Sequence, residues 1–206
     1  MKVIPVSLII KLKILKKFFF YKKDYRSWLK NGSPVPPPHL AKKELIKKYC
    51  LKYNPKIFVE TGTYLGEMIY SQKNNFESIY SIEIQSDLFK AAERRFKNRN
   101  NIHIFLGDSG VILFDVVQNL SEKALFWLDG HYSGGITGKS ISDCPIYKEL
   151  NAIFNNNRNH IIIIDDANCF CGTGDYPTIE ELREFIVLKD KTYSFNIENN
   201  AIILEK

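Results

Sequence analysis

The sequence predicts an α/β protein built on a doubly wound, mostly parallel sheet. Five short apolar runs (residues 57–59, 79–84, 102–106, 124–128 and 160–164) each lead into or end near a carboxylate. Helical patterns fill the gaps between them, and strand–helix alternation is the mark of a parallel sheet. In an open sheet of this kind ligands bind at the carboxyl ends of the strands. Glu60, Glu83, Asp108, Asp129, Asp165 and Asp166 should therefore converge on one rim.

The first run is the most informative. Residues 57–59 pass into Glu60, then into a tight turn with Gly62, then past Gly66 into a helix. A strand, a glycine turn and a helix N-terminus together present backbone N–H groups and a positive dipole end to an anionic group. Glu60 can meanwhile hold an ammonium or a hydroxyl. A dinucleotide fingerprint wants G-x-G-x-x-G, whose second glycine lets the backbone touch a pyrophosphate. Tyr64 breaks that pattern. A ligand without pyrophosphate is preferred, and S-adenosylmethionine fits: its carboxylate can meet the turn amides and its amino group Glu60. Glu83 lies about 20 residues beyond the turn, where an acid can accept from ribose hydroxyls. Thr63 and Tyr64 belong to the turn, and Asp108 and Ser109 follow the third run, near the expected adenine position.

The remaining elements follow in order. Residues 1–56 carry 15 Lys/Arg against 2 acids, while residues 57–206 carry 14 against 21. The net charge of +6 thus hides a basic N-terminal part on an acidic body, and no nucleic-acid partner is expected from it. Residues 3–20 are apolar but broken by Lys11, Lys13, Lys16 and Lys17. The longest uncharged run falls far short of the roughly 20 residues a spanning helix needs, and no small-residue cleavage site of a secretory signal follows. As a helix the segment would set Leu8, Leu12, Leu15 and Phe19 on one face, suited to an anionic membrane surface. Residues 1–30 are the candidate for peripheral membrane contact, with packing on the domain as the alternative. Four prolines within residues 34–38 favour an extended linker. The predicted division is a basic arm and linker over residues 1–38 and a ligand-binding domain over residues 39–206.

A helix over residues 39–53 should place Leu40, Leu45, Ile46 and Tyr49 inward and its lysine pairs outward. Further helices are predicted over residues 65–73, 86–97, 110–120 and 145–154. Another starts at Thr178, with Glu181 at the capping-box position. Residues 192–197 and 201–204 pair around Glu198-Asn199-Asn200 as a terminal hairpin. Two glycine-bearing stretches, residues 133–142 and 171–177, have the composition of loops that close over a site. Cys50, Cys144, Cys169 and Cys171 show no disulfide framework or zinc spacing, so reduced thiols and a cytoplasmic location are expected.

Glu60-Thr-Gly62-Thr-Tyr64-Leu-Gly66, Glu83, Asp129 and the Asp165-Asp166 pair resemble class I S-adenosylmethionine-dependent methyltransferases. Within that class they are most similar to the metal-dependent O-methyltransferases, the catechol and macrocin-type sugar enzymes. The resemblance spans roughly residues 55–206. It implies a Rossmann-like, seven-stranded sheet ending in an antiparallel hairpin. It also implies S-adenosylmethionine as cofactor and metal ligands after the fourth and fifth strands, here Asp129, Asp165 and Asp166.

Those acids are the oxygen donors that a hard cation such as magnesium prefers. His131, two residues beyond Asp129, is placed to remove a hydroxyl proton, and Asp129 shares the catalytic assignment. The expected reaction is methyl transfer to a hydroxyl of a sugar or other small polar acceptor. Two alternatives stand beside it: a cofactor-binding protein without transfer activity at a membrane surface, and an NAD-dependent sugar-modifying enzyme. A homo-oligomer is compatible with every reading.

Overall fold

The computed structural model describes residues 21–130 and 144–206. The expected membrane-facing stripe, His131 and the loop at residues 133–142 lie outside the described residues. Helix α1 (residues 21–30) leads through the proline segment into α2 (His39–Tyr53). Then β1 (Ile57–Thr61), α3 (Glu67–Gln72), β2 (Ser78–Glu83), α4 (Ser86–Phe96), β3 (Ile102–Leu106), α5 (Ser109–Gln118) and β4 (Ala124–Leu128) alternate. The chain closes with α6 (Ile146–Phe154), β5 (Ile161–Ile164), a 3-10 turn (Ala167–Cys169), α7 (Ile179–Lys189), β6 (Ser194–Glu198) and β7 (Ala201–Glu205).

The seven strands lie in the order β3-β2-β1-β4-β5-β7-β6. Strands β1 to β5 pair in parallel, while β7 runs antiparallel to both β5 and β6. The terminal hairpin turns at Asn199 and Asn200, both with left-handed backbone, a conformation asparagine tolerates well.

Alternation along the strands divides the core into two layers. Phe126, Leu128, Ile162 and Ile164 face α5, α6 and α7. Leu125, Trp127, Ile161 and Ile163 face α2, α3 and α4. Every residue of β4 and β5 is buried, which is why these two strands read as unbroken apolar runs. Thr178 and Glu181 form the capping box, each side chain bonding the other's backbone N–H.

The proline segment does not hold α1 away from the body. The indole of Trp28 is buried and donates to the Pro34 carbonyl at 2.7 Å. The Tyr21 hydroxyl donates to Glu67 on α3 at 2.6 Å. Residues 21–38 thus fold against the sheet's helical cover. Among the described residues no helix is long and apolar enough to cross a membrane.

Candidate active site

Strand order reverses direction at the β1–β4 pair, whose strands stay paired to their ends at Thr61 and Leu128, while the connections that leave them run to opposite faces of the sheet and open a crevice beyond those ends. Gly62 closes β1 with φ +83°, and a Cβ on it would meet the Asp129 carbonyl oxygen at 2.3 Å. Only glycine permits both the backbone and the approach. Asp129 is in turn bound to β1, its N–H donating to the Thr61 carbonyl at 3.1 Å. Tyr64 also takes a left-handed backbone, φ +48°, at the position where the turn motif often carries a glycine.

A cavity of about 250 Å³ lies on this crevice. Glu60, Gly62, Thr63, Tyr64 and Asp129 line it, joined by Leu65, Met68 and Trp127. Of the other described residues singled out from the sequence, Gly66, Glu83, Asp108, Ser109, Asp165 and Asp166 are not among those that line this cavity. Each has a definite place nearby. Gly66 precedes α3 with φ +67°. Glu83 is buried and accepts the backbone N–H of Tyr64 and of Gln85, each at 2.8 Å. Asp108 caps α5 by accepting from the Gly110 N–H at 2.8 Å. Ser109 lies by the β4 loop, where a Cβ on Gly130 would come within 3.0 Å of its hydroxyl.

Glu60 is buried, and the Ser81 hydroxyl donates to it at 2.9 Å while sharing a 2.6 Å bond with the Thr63 hydroxyl. Burial raises the Glu60 carboxyl well above the usual range; the Ser81 bond opposes this and the nearby Asp129 and Glu83 add to it. Burial likewise raises Glu83, against the pull of its backbone N–H partners.

Asp129, Asp165 and Asp166 offer carboxylate oxygens that all lie within 4.8 Å of one another. Asp165 is fully buried at the end of β5, and its Oδ1 accepts the Asp166 N–H at 2.8 Å. Asp166 adopts φ +51° just beyond the strand, and that turn brings two adjacent carboxylates to one site.

Lys42 on α2 joins them. Its ammonium donates to Asp165 Oδ2, and to Asp166 Oδ1 at 3.2 Å. The expectation that the lysine pairs of α2 face outward is therefore corrected at Lys42. Positions 42, 45, 46 and 49 fall on one helical face, and Leu45, Ile46 and Tyr49 are its buried members. That spacing was the available signal. Burial alone would lower the Lys42 ammonium, but Asp165, Asp129 and Asp166 more than reverse the effect and hold it charged. Burial, with Asp129 beside it, pushes Asp165 upward against the opposing Lys42.

His39 and Glu67 were also missed. Both line the cavity, with His39 Nε2 3.9 Å from Glu67 Oε2. Their meeting depends on α2 packing over α3, which no local pattern encodes.

No protein-family model and no curated protein sequence matches the chain. Solved structures do. An O-methyltransferase from Bacillus cereus in complex with SAH is 12% identical, with a TM-score of 0.57 over 90% of this chain and 90% of that one. The O-methyltransferase TomG from Streptomyces achromogenes, in complex with SAM, is 11% identical, with a TM-score of 0.57 over 89% of this chain and 87% of that one. A putative caffeoyl-CoA O-methyltransferase from Staphylococcus aureus is 14% identical, with a TM-score of 0.57 over 97% of this chain and all of the other. The seven-stranded sheet with its reversed terminal hairpin is the Rossmann-like fold of the class I S-adenosylmethionine-dependent methyltransferases.

Proposed function

We propose that this chain is an S-adenosylmethionine-dependent O-methyltransferase, metal-assisted, acting on a hydroxyl of a sugar or other small polar acceptor. One observation carries the reading: Glu60 and the Gly62 turn share a single cavity with Asp129, the first member of the acid cluster. A cofactor held by the turn would thus lie beside the groups that prepare an acceptor. SAM-bound TomG and the SAH-bound Bacillus cereus enzyme, which share the fold, support the choice of cofactor.

In this reading Glu60 pairs with the cofactor's amino group, and the turn at Gly62, Thr63 and Tyr64 receives its carboxylate. Glu83 braces the turn from β2 through the Tyr64 N–H. Methyl transfer forms a bond between the acceptor oxygen and the methyl carbon and breaks the carbon–sulfur bond, leaving the thioether neutral. The hydroxyl proton has to leave, and His131 is the assigned base. The donor set fits a hard divalent cation: three carboxylates with oxygens within 4.8 Å of one another. Asp129, Asp165 and Asp166 would hold it, and such an ion lowers the pKa of a bound hydroxyl and fixes its position. The polar wall formed by His39, Lys42 and Glu67 supports a hydroxyl-rich acceptor.

Thermal unfolding tests the cofactor assignment. S-adenosylmethionine and S-adenosylhomocysteine should raise the melting temperature and NAD should not; the reverse order would favour a dehydrogenase-like role. With an acceptor found among vicinal-diol sugars, chelation should abolish transfer and magnesium or manganese should restore it. Activity that survives exhaustive chelation removes the metal from the proposal.

A further inference from the structure

We infer that Lys42 is a built-in competitor for the cation at the acid cluster, so that a divalent ion binds by displacing its ammonium from Asp165. This rests on the metal reading proposed above. Asp165 is fully buried, and its Oδ1 is engaged by the Asp166 N–H at 2.8 Å. Oδ2 is therefore the oxygen best placed to receive a cation, and Lys42 donates to that atom. The same ammonium also reaches Asp166 Oδ1 at 3.2 Å. Two of the three carboxylates that would hold the metal are thus already bound to a protein-borne positive charge. A divalent ion arriving at Oδ2 meets strong like-charge repulsion in a partly buried setting, where screening by water is weak.

The arrangement has two consequences. It offsets carboxylate crowding while no metal is bound, since Asp129, Asp165 and Asp166 otherwise repel one another at close range. It also ties metal occupancy to helix α2, because the displaced ammonium must swing away on its flexible stem. Lys42 lines the same cavity as Glu60 and Asp129. Once released, its ammonium remains beside the space in which an acceptor would lie. Lys42 is in this sense a positioning residue, acting through the acids it holds.

The test uses the full chain with manganese as the probe, read by calorimetry and by the electron paramagnetic resonance of the free ion. Lys42→Met should bind manganese at least tenfold tighter than the wild type. Lys42→Arg, which keeps the charge, should bind no tighter than the wild type. In the wild-type chain, acetylation of Lys42 followed by mass spectrometry should rise at least twofold on manganese saturation, while the exposed Lys22 serves as an unchanging reference. Equal manganese affinity in Lys42→Met, tightening in Lys42→Arg, or Lys42 labelling that does not change on saturation each overturns the inference. The labelling experiment decides the matter even if Lys42→Met fails to fold. If neither chain binds manganese at millimolar concentration, the metal reading itself fails. Binding that is equal in both leaves that reading standing and removes only the competition.

Discussion

Glu83 at the end of β2 accepts the backbone N–H of Tyr64, in the turn after β1, at 2.8 Å. Its second oxygen accepts from the Gln85 N–H at the same distance. One carboxylate thus ties together the ends of two neighbouring strands and fixes the left-handed Tyr64 that shapes the cavity wall. From the sequence Glu83 was expected only to meet ribose hydroxyls. The structure adds a bracing role, and the two roles differ in what a mutation does. Glu83→Ala should lower stability by about 1–3 kcal/mol, because two half-buried N–H groups lose their acceptor. It should also weaken S-adenosylhomocysteine binding at least tenfold, measured by calorimetry. Unchanged melting and unchanged affinity together would remove Glu83 from the site.

Glu60 leads to a pH prediction. Burial raises its carboxyl well above the usual range in the free protein, whereas a ligand ammonium pairs only with the ionised form. Binding should therefore release a proton, and affinity should rise as pH rises toward the Glu60 value and then level off. Calorimetry in buffers of different ionisation enthalpy reads the proton directly. Glu60→Gln should release none and should bind about 10–100-fold more weakly, the cost of losing a charge-assisted hydrogen bond. Proton release that persists in Glu60→Gln would assign the titration to another group.

His160 lies at the opposite end of the sheet from the cavity, just before β5. Its Nδ1 accepts the Ala124 N–H at 3.0 Å, and among the described residues its buried Nε2 has no hydrogen-bond partner. Burial, helped by the positive charges of Arg158, Lys123 and Lys206, pushes the imidazole down to about 4. The unfolded chain takes up this proton near the ordinary histidine value of about 6.5. The contribution to stability is complete above that value and falls as pH drops toward 4; below 4 it is gone. The loss is about 3 kcal/mol at most, from the size of the shift. Urea midpoints between pH 7 and 4 should fall more steeply in the wild type than in His160→Gln. Parallel slopes would mean that other groups govern the acid limb.

Much of this fold was legible because its signals are local. The runs of β4 and β5 are apolar without interruption, since both faces of those strands are covered. Thr178 and Glu181 announced the start of α7 through a spacing that is itself the bond pattern. The contact of Gly62 with Asp129 was half legible: the turn demanded glycine, but its neighbour across the crevice follows from the pairing of β1 with β4. Lys42 was hidden for a different reason. A lysine in a Lys-rich helix reads as solvated, and only the acids at the end of β5, 123 positions away, turn it inward. Tyr21 and Glu67 are bound across 46 positions, and a proline-rich segment between them gave the impression of separation.

That fold-back changes how the N-terminal part should be tested. Tyr21 holds Glu67, and Pro37 lines the cavity, so removing residues 1–38 would damage the site itself. Deleting residues 1–20 spares those contacts while removing Lys2, Lys11, Lys13, Lys16 and Lys17. Each lysine near an anionic bilayer is worth about 1 kcal/mol, so their loss should weaken sedimentation with phosphatidylserine vesicles more than tenfold. Helix α1 still offers exposed Lys22, Lys23, Arg26 and Lys30, with Leu29 half exposed, and it should retain weak, salt-sensitive binding. Affinity for S-adenosylhomocysteine should stay within twofold of the full chain, since the Tyr21–Glu67 bond and the cavity wall from Pro37 to Asp129 are kept. Equal sedimentation of the two chains would leave the basic segment without a membrane role. A large fall in cofactor affinity would instead place part of residues 1–20 over the cavity.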